Sequence, residues 1–129
     1  MSETHALIID DNVDNIGVLA ELLTFYGITY TQIEDPVEVG AALTAIDKLD
    51  VIFLDLEMPG LNGYEVIELL KHDANHKDVP VVAHTVHTNE INNARQIGFH
   101  SFLAKPLDAD RFSDQLKRIL SGEHVWVAS

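Results

Sequence analysis

Short unbroken apolar runs alternate along this chain with apolar stripes at helical spacing. The run Ala6 to Ile9 ends on acid at Asp10 and Asp11. Ile16, Leu19, Leu22, Leu23 and Tyr26 follow on one helical face, and Gly27 stops them. Residues 28–33 (ITYTQI) mix β-branched, aromatic and polar side chains, as an edge strand does. Asp35 then offers an N-cap, Pro36 the first helical position and Glu38 the capping-box position, ahead of Val39, Ala42, Leu43 and Ile46. The cycle recurs three times. Residues 51–55 (VIFLD) precede the helical Val66, Ile67 and Leu70. Residues 79–85 (VPVVAHT) precede Ile91, Ala94 and Ile97, which Gly98 closes. Residues 101–105 (SFLAK) precede Phe112, Leu116, Ile119 and Leu120.

Strands that are apolar throughout and separated by helices predict a parallel sheet covered on both faces. Right-handed crossovers make it an open, doubly wound α/β sheet. A length of 129 residues suits one domain, placed at residues 1–121 with no repeat and no linker. Residues 122–129 (GEHVWVAS) fall outside the pattern and are expected to pack loosely as a tail. A protein contact through Trp126 is the other reading.

The strands end on reactive side chains. The first ends at Asp10 and Asp11, the third at Asp55, the fourth at Thr85 and the fifth at Lys105. All carboxyl ends of a parallel sheet share one edge, so three acids, a hydroxyl and an ammonium converge there, where doubly wound sheets bind ligands. Singly, each acid reads as a strand-ending or capping residue, and Lys105 as a solvated lysine. Asp55 resists that reading because Met58-Pro59-Gly60 follows it closely and no helix does. Three close carboxylates repel one another and call for a counter-charge, which a hard divalent cation supplies through oxygen ligands.

Composition narrows the function. The formal charge is −13, which opposes nonspecific nucleic-acid binding. Cysteine is absent, so disulfides and thiolate metal sites are excluded, and a cytoplasmic location fits. No apolar run approaches the roughly 18 residues of a membrane span, and the N-terminus lacks the pattern of a secretory signal.

Four motifs occur in order at these strand ends: Asp10-Asp11-Asn12, DLEMPGLNG around Asp55, VAHT ending at Thr85, and GFHSFLAKP ending in Lys105-Pro106. Together they resemble the receiver domain of two-component response regulators over nearly the whole chain, as a stand-alone, single-domain type. The resemblance implies a flavodoxin-like (βα)5 fold with a five-stranded sheet of order 2-1-3-4-5. It implies that Asp55 accepts a phosphoryl group from a phosphohistidine, with Mg²⁺ (or Mn²⁺) held by Asp11, Asp55 and the backbone carbonyl of Glu57, and Asp10 acting through a metal-bound water. Lys105 and Thr85 would contact the phosphoryl group, Phe102 would fill the aromatic switch position, and Pro106 would follow a cis bond. Glu57, Val86 and His87 would tune phosphoryl lifetime. Partners would be a histidine kinase or histidine phosphotransfer protein and a downstream protein, with no direct nucleic acid or membrane contact. The chain would be no enzyme beyond assisting its own phosphorylation and dephosphorylation.

Some positions depart from the family. Val86 stands where a small residue is usual, the Thr85–Lys105 spacing is shorter, and His84 replaces an aliphatic residue. His84 is expected to be buried, neutral and hydrogen-bonded; Glu57 and His87 are expected to be exposed. Two alternatives stay open: a receiver that acts as an unphosphorylated scaffold, and a small-molecule protein on a similar fold, such as a dehalogenase-type phosphatase or a flavin carrier. The phosphatase would want Asp where Glu57 stands. The flavin carrier would want a hydroxyl- and Gly-rich loop in place of the acidic residues 10–15 (DDNVDN).

Overall fold

The computed structural model describes residues 4–56, 63–73 and 75–128. Six strands, β1 (His5–Ile9), β2 (Thr29–Ile33), β3 (Val51–Leu54), β4 (Val81–Thr85), β5 (Ser101–Ala104) and β6 (Trp126–Val127), form one sheet of order β2-β1-β3-β4-β5-β6. Every neighbouring pair is parallel. The helices are α1 (Val13–Phe25), α2 (Val39–Ala45), α3 (Gly63–Lys71), α4 (Ile91–Ile97) and α5 (Ala109–Leu120). Single 3-10 turns, Pro36–Glu38 and Thr88–Glu90, lead into α2 and α4.

Strand pleating sorts the apolar residues into two cores. Leu7, Ile9, Ile52, Leu54 and Phe102 pack with Val39, Leu43, Val66, Ile67 and Ala94 under α2, α3 and α4. Ala6, Ile8, Val51, Phe53 and Leu103 pack with Ile16, Leu19, Leu23, Phe112 and Leu116 under α1 and α5. β3 and β4 are buried at every position, which is why their sequences read as continuous apolar runs. Asn12 caps α1 by accepting from the Asn15 N–H at 3.1 Å, and Asp35 caps the turn before α2 by accepting from Val37 at 3.0 Å. Gly98 ends α4 in the left-handed conformation at φ 113°.

The sheet has six strands, so the five-stranded order 2-1-3-4-5 is corrected at its end. Gly122, at φ 103°, turns the chain out of α5. Glu123 then holds Arg118 twice: its N–H donates to the Arg118 carbonyl at 2.9 Å, and its carboxylate accepts from the guanidinium at 2.6 Å. Val125 drops into the α1–α5 core at 3% exposure. Its N–H donates to Ser101 Oγ at 2.9 Å, and its carbonyl accepts from the Phe102 N–H at 2.8 Å. The tail is therefore seated on β5, with Phe102 opposite Trp126 and Leu103 opposite Val127. Two residues are too few to show alternation, so the strand was invisible in the pattern of apolar positions.

Val125→Ala is expected to lower stability by about 1.6 kcal/mol, two methyl-sized groups at ~0.8 kcal/mol each. Leu120→Ala, at a position 38% exposed, changes it by less than about 0.5 kcal/mol. Equal, small effects in urea unfolding would mean that the tail is not packed.

Candidate functional site

Asp10, Asp55, Thr85 and Lys105 stand at the carboxyl ends of four adjacent strands, each held by its backbone. Asp10 donates its N–H to Ile33 at 3.0 Å, and Asp55 donates to Ile9 at 2.9 Å, so the ladder of β2, β1 and β3 runs up to both acids. Lys105 donates its N–H to the Thr85 carbonyl at 2.9 Å and is followed by a cis bond to Pro106. Its ammonium lies 2.7 Å from Asp10 Oδ2 and 3.5 Å from Asp55 Oδ2, with the lysine side chain only 6% exposed. Asp10 is 2% exposed, and its other oxygen accepts from the Asn12 N–H at 2.9 Å. Between those two anchored residues, Asp11 is exposed. One oxygen from each of Asp10, Asp11 and Asp55 lies within 4.8 Å of the others. The site is thus a buried ammonium facing two carboxylates, with a third carboxylate open to solvent.

Thr85 is fully buried, and its Oγ1 accepts from the His87 N–H at 3.1 Å. The hydroxyl keeps its own hydrogen for another acceptor. Val86 is 61% exposed. His87 is half-buried, where exposure was expected, because the turn at Thr88–Glu90 folds straight back toward α4. Phe102 is fully buried in β5, between Ala83 of β4 and Trp126 of β6. Glu57, the expected carbonyl ligand and tuning residue, lies outside the described residues.

Two supports have roles that the sequence did not assign. Gly63 opens α3 directly over the chain leaving β3: its N–H donates to the Leu56 carbonyl at 2.7 Å, and a Cβ there would stand 2.6 Å from the Asp55 carbonyl oxygen and 2.5 Å from Leu56 Cα. Only glycine fits without moving Asp55. The glycine eight residues after the acid was the available signal. Tyr64, the next residue, hydrogen-bonds Glu90 in the turn before α4 and meets Phe99 edge-on at 6.2 Å. That bond, then one from Asn93, holds the Glu90 carboxyl below its ordinary range. No spacing in the sequence marks this pairing.

Burial, and after it the nearby charge of Lys105, pushes His84 down from 6.5 to about 3. The ring is neutral in the fold, as expected. Its Nε2 has no hydrogen-bond partner among the described residues, so the expected hydrogen bonding does not extend to that nitrogen.

The family model for the response regulator receiver domain matches residues 6–117. The chain belongs to the response regulator receiver family. It is 30% identical over 118 residues to Protein PilH of Pseudomonas aeruginosa, covering 90% of this chain and 97% of PilH. It is also 30% identical over 122 residues to Protein RcaC of Microchaete diplosiphon, covering 93% of this chain but only 19% of RcaC. Among solved structures, the receiver domain of the sensor histidine kinase PA1611 from Pseudomonas aeruginosa, crystallised with a magnesium ion coordinated in its active-site cleft, superposes with a TM-score of 0.82. That match covers 93% of this chain and 99% of the other at 24% identity, and so speaks for the fold alone. The phosphoacceptor signalling role of that family fits the chain, and a phosphatase is not favoured. No described helix is long and apolar enough to cross a membrane.

His84 gives this receiver an unusual pH response. A histidine neutral in the fold gains its proton only on unfolding, so its contribution to stability is intact above pH 6.5 and is lost as pH falls from there toward about 3. His84→Leu should hold or raise stability at pH 7, since it removes an unpartnered polar atom. It should also flatten the decline below pH 6.5 by up to about 1.4 kcal/mol per pH unit. An unchanged slope in chemical denaturation between pH 6.5 and pH 4 counts against the buried neutral ring.

Proposed function

We propose that Asp55 is the phosphoacceptor and that its reaction uses Mg²⁺ held by the acidic cluster. The observation that carries this reading is the Lys105 ammonium lying within reach of both Asp10 and Asp55 in a buried site. In the proposed step, an Asp55 carboxylate oxygen attacks the phosphorus of a phosphohistidine. The new O–P bond forms as the P–N bond breaks, and the imidazole leaves with its electron pair. Charge in such a loose transition state sits on the equatorial oxygens, so catalysis is positioning plus positive charge. Lys105 supplies one fixed cation there. The bond it donates to Asp10 fixes the ammonium in place.

The donor set fits the metal. Asp10, Asp11 and Asp55 offer only oxygens, they lie close enough to share one ion, and Asp11 is open to water. When bound, Mg²⁺ would neutralise the cluster and polarise the phosphoryl oxygens. The resemblance adds the Glu57 carbonyl to this set. The magnesium recorded for the PA1611 receiver supports the same choice of ion.

Thr85 would answer the new phosphoryl group. Its hydroxyl can turn toward a phosphoryl oxygen while its lone pair keeps the His87 N–H. One hydrogen bond to a charged group is worth about 1.5–3 kcal/mol, enough to shift a two-state balance by tenfold or more. Movement of Thr85 would be felt through β5 at Phe102, and so at the surface built by α4, β5 and α5. The partners on this reading are a histidine kinase or phosphotransfer protein upstream and a protein target downstream.

Incubation with a small phosphodonor and Mg²⁺ should add one phosphoryl group by intact mass. Asp55→Asn, or omission of Mg²⁺, should abolish it; labelling of Asp55→Asn at the wild-type level refutes the assignment. Mg²⁺ alone should raise the melting temperature. Linkage gives about 2.7 kcal/mol with the ion at about 100 times its dissociation constant, and Asp11→Ala should lose most of that response. A shift that survives Asp11→Ala places the ion elsewhere.

A further inference from the structure

At the opposite end of the sheet, where β4 and β5 begin, a cavity of ≈ 570 Å³ opens between α3, α4, the chain entering β4 and the tail. Its size suits a small ligand. Its floor is apolar, with Leu70 and Phe99 buried beneath it. Lys71, Lys77 and Arg95 make its lining basic, and His76, His100 and His124 line it too. The chain has eight Lys and Arg and seven His against 21 acids. Three of the eight cations and three of the seven imidazoles therefore meet at one cavity on a protein of formal charge −13, and Asp78 is the lone acid in its lining.

Some of these groups already have work within the fold. His76 is bonded through both ring nitrogens, to Asp73 at 3.2 Å and to the Ile46 carbonyl at 3.1 Å. Lys71 donates to the Ile97 carbonyl at the end of α4 and lies 3.9 Å from Glu68. A lysine so placed serves the negative end of a helix. Lys77 and Arg95 differ. Among the described residues neither forms an ion pair with a carboxylate, and Lys77 is in a loop rather than at a helix end. The Arg95 guanidinium lies over the Trp126 ring, 4.7 Å from its centroid. The same indole stacks at 5° on His124, which in turn lies 4.3 Å from His100. A guanidinium that rests over a ring face spends none of its N–H donors on that contact, so they can meet a carboxylate or phosphate. This stack exists only because the tail is seated as β6.

We propose that this cavity binds a small organic anion, a phosphate or carboxylate carried on a flat apolar body, with Arg95 and Lys77 holding the charge and the Leu70–Phe99 floor holding the body. The proposal stands apart from the phosphoacceptor reading, which concerns the other end of the sheet.

Trp126 is the sole tryptophan and reports on the cavity directly. AMP and naphthoate serve as probes, titrated without Mg²⁺ or phosphodonor and followed by tryptophan emission and by calorimetry. Inorganic phosphate and adenosine are the separate halves of the first probe. The expected result is saturable one-site binding of at least one probe, weakened about tenfold or more by Arg95→Gln and by Lys77→Gln. Phe25→Ser, at an 80% exposed position on α1, should leave it unchanged. The three substituted side chains are exposed, and unchanged melting of the variants confirms their fold. The proposal is overturned if neither probe saturates, if the Arg95→Gln/Lys77→Gln double variant binds like the wild type, or if phosphate alone binds as tightly as AMP.

Discussion

One ammonium organises the carboxyl end of this sheet. Lys105 lies 2.7 Å from Asp10 and 3.5 Å from Asp55, out of water, and each carboxylate would be costly there without it. Removing one partner from such a buried cluster costs about 3–5 kcal/mol, so the three residues fix one another. The rest of the architecture can be read as what that contact requires. Asp10 and Asp55 come from adjacent strands and Lys105 from two strands further on, so β4 must lie between with a residue small enough to leave the gap open. Thr85 meets that need and adds a hydroxyl. The parallel order brings four segments far apart in sequence to within a few ångströms of one another.

Much of this was legible before any coordinates. A buried strand that ends on a charge has few structural excuses, and Asp55 has fewer than most. The alternation of unbroken apolar runs with helical stripes is a strong signal because the two periodicities differ, 2 against 3.6. Element ends shifted by one or two residues, as at β1 and β4, where hydrogen bonding rather than hydropathy sets the limit. Asn12, one residue beyond the acidic pair, is the cap of α1, and this leaves Asp11 free for other duty.

The unread parts share a cause. β6 depends on Val125 finding the α1–α5 core and on Ser101 accepting its N–H; both are long-range facts that two residues cannot announce. The Tyr64–Glu90 bond and the meeting of Lys77, Arg95 and Trp126 likewise join segments that the chain keeps far apart. His84 was read correctly for burial, which local pattern decides. That its Nε2 goes without a partner was not legible, since that is decided by whatever lies across the core.

The seating of β6 also changes how this sheet could meet another. A strand at the border of a sheet exposes unpaired N–H and C=O groups to which a second strand can add. Among the described residues, β6 covers that row along Phe102 and Leu103 and becomes a border two residues long, while β2 carries the longer border, with Thr29, Tyr30 and Gln32 exposed along it. A sheet with two open borders can be extended without limit, copy upon copy. Here the border at β6 is only two residues long, and so short an edge offers an added strand little to pair with. A strand of two residues thus leaves β2 as the border through which a second strand could add at length.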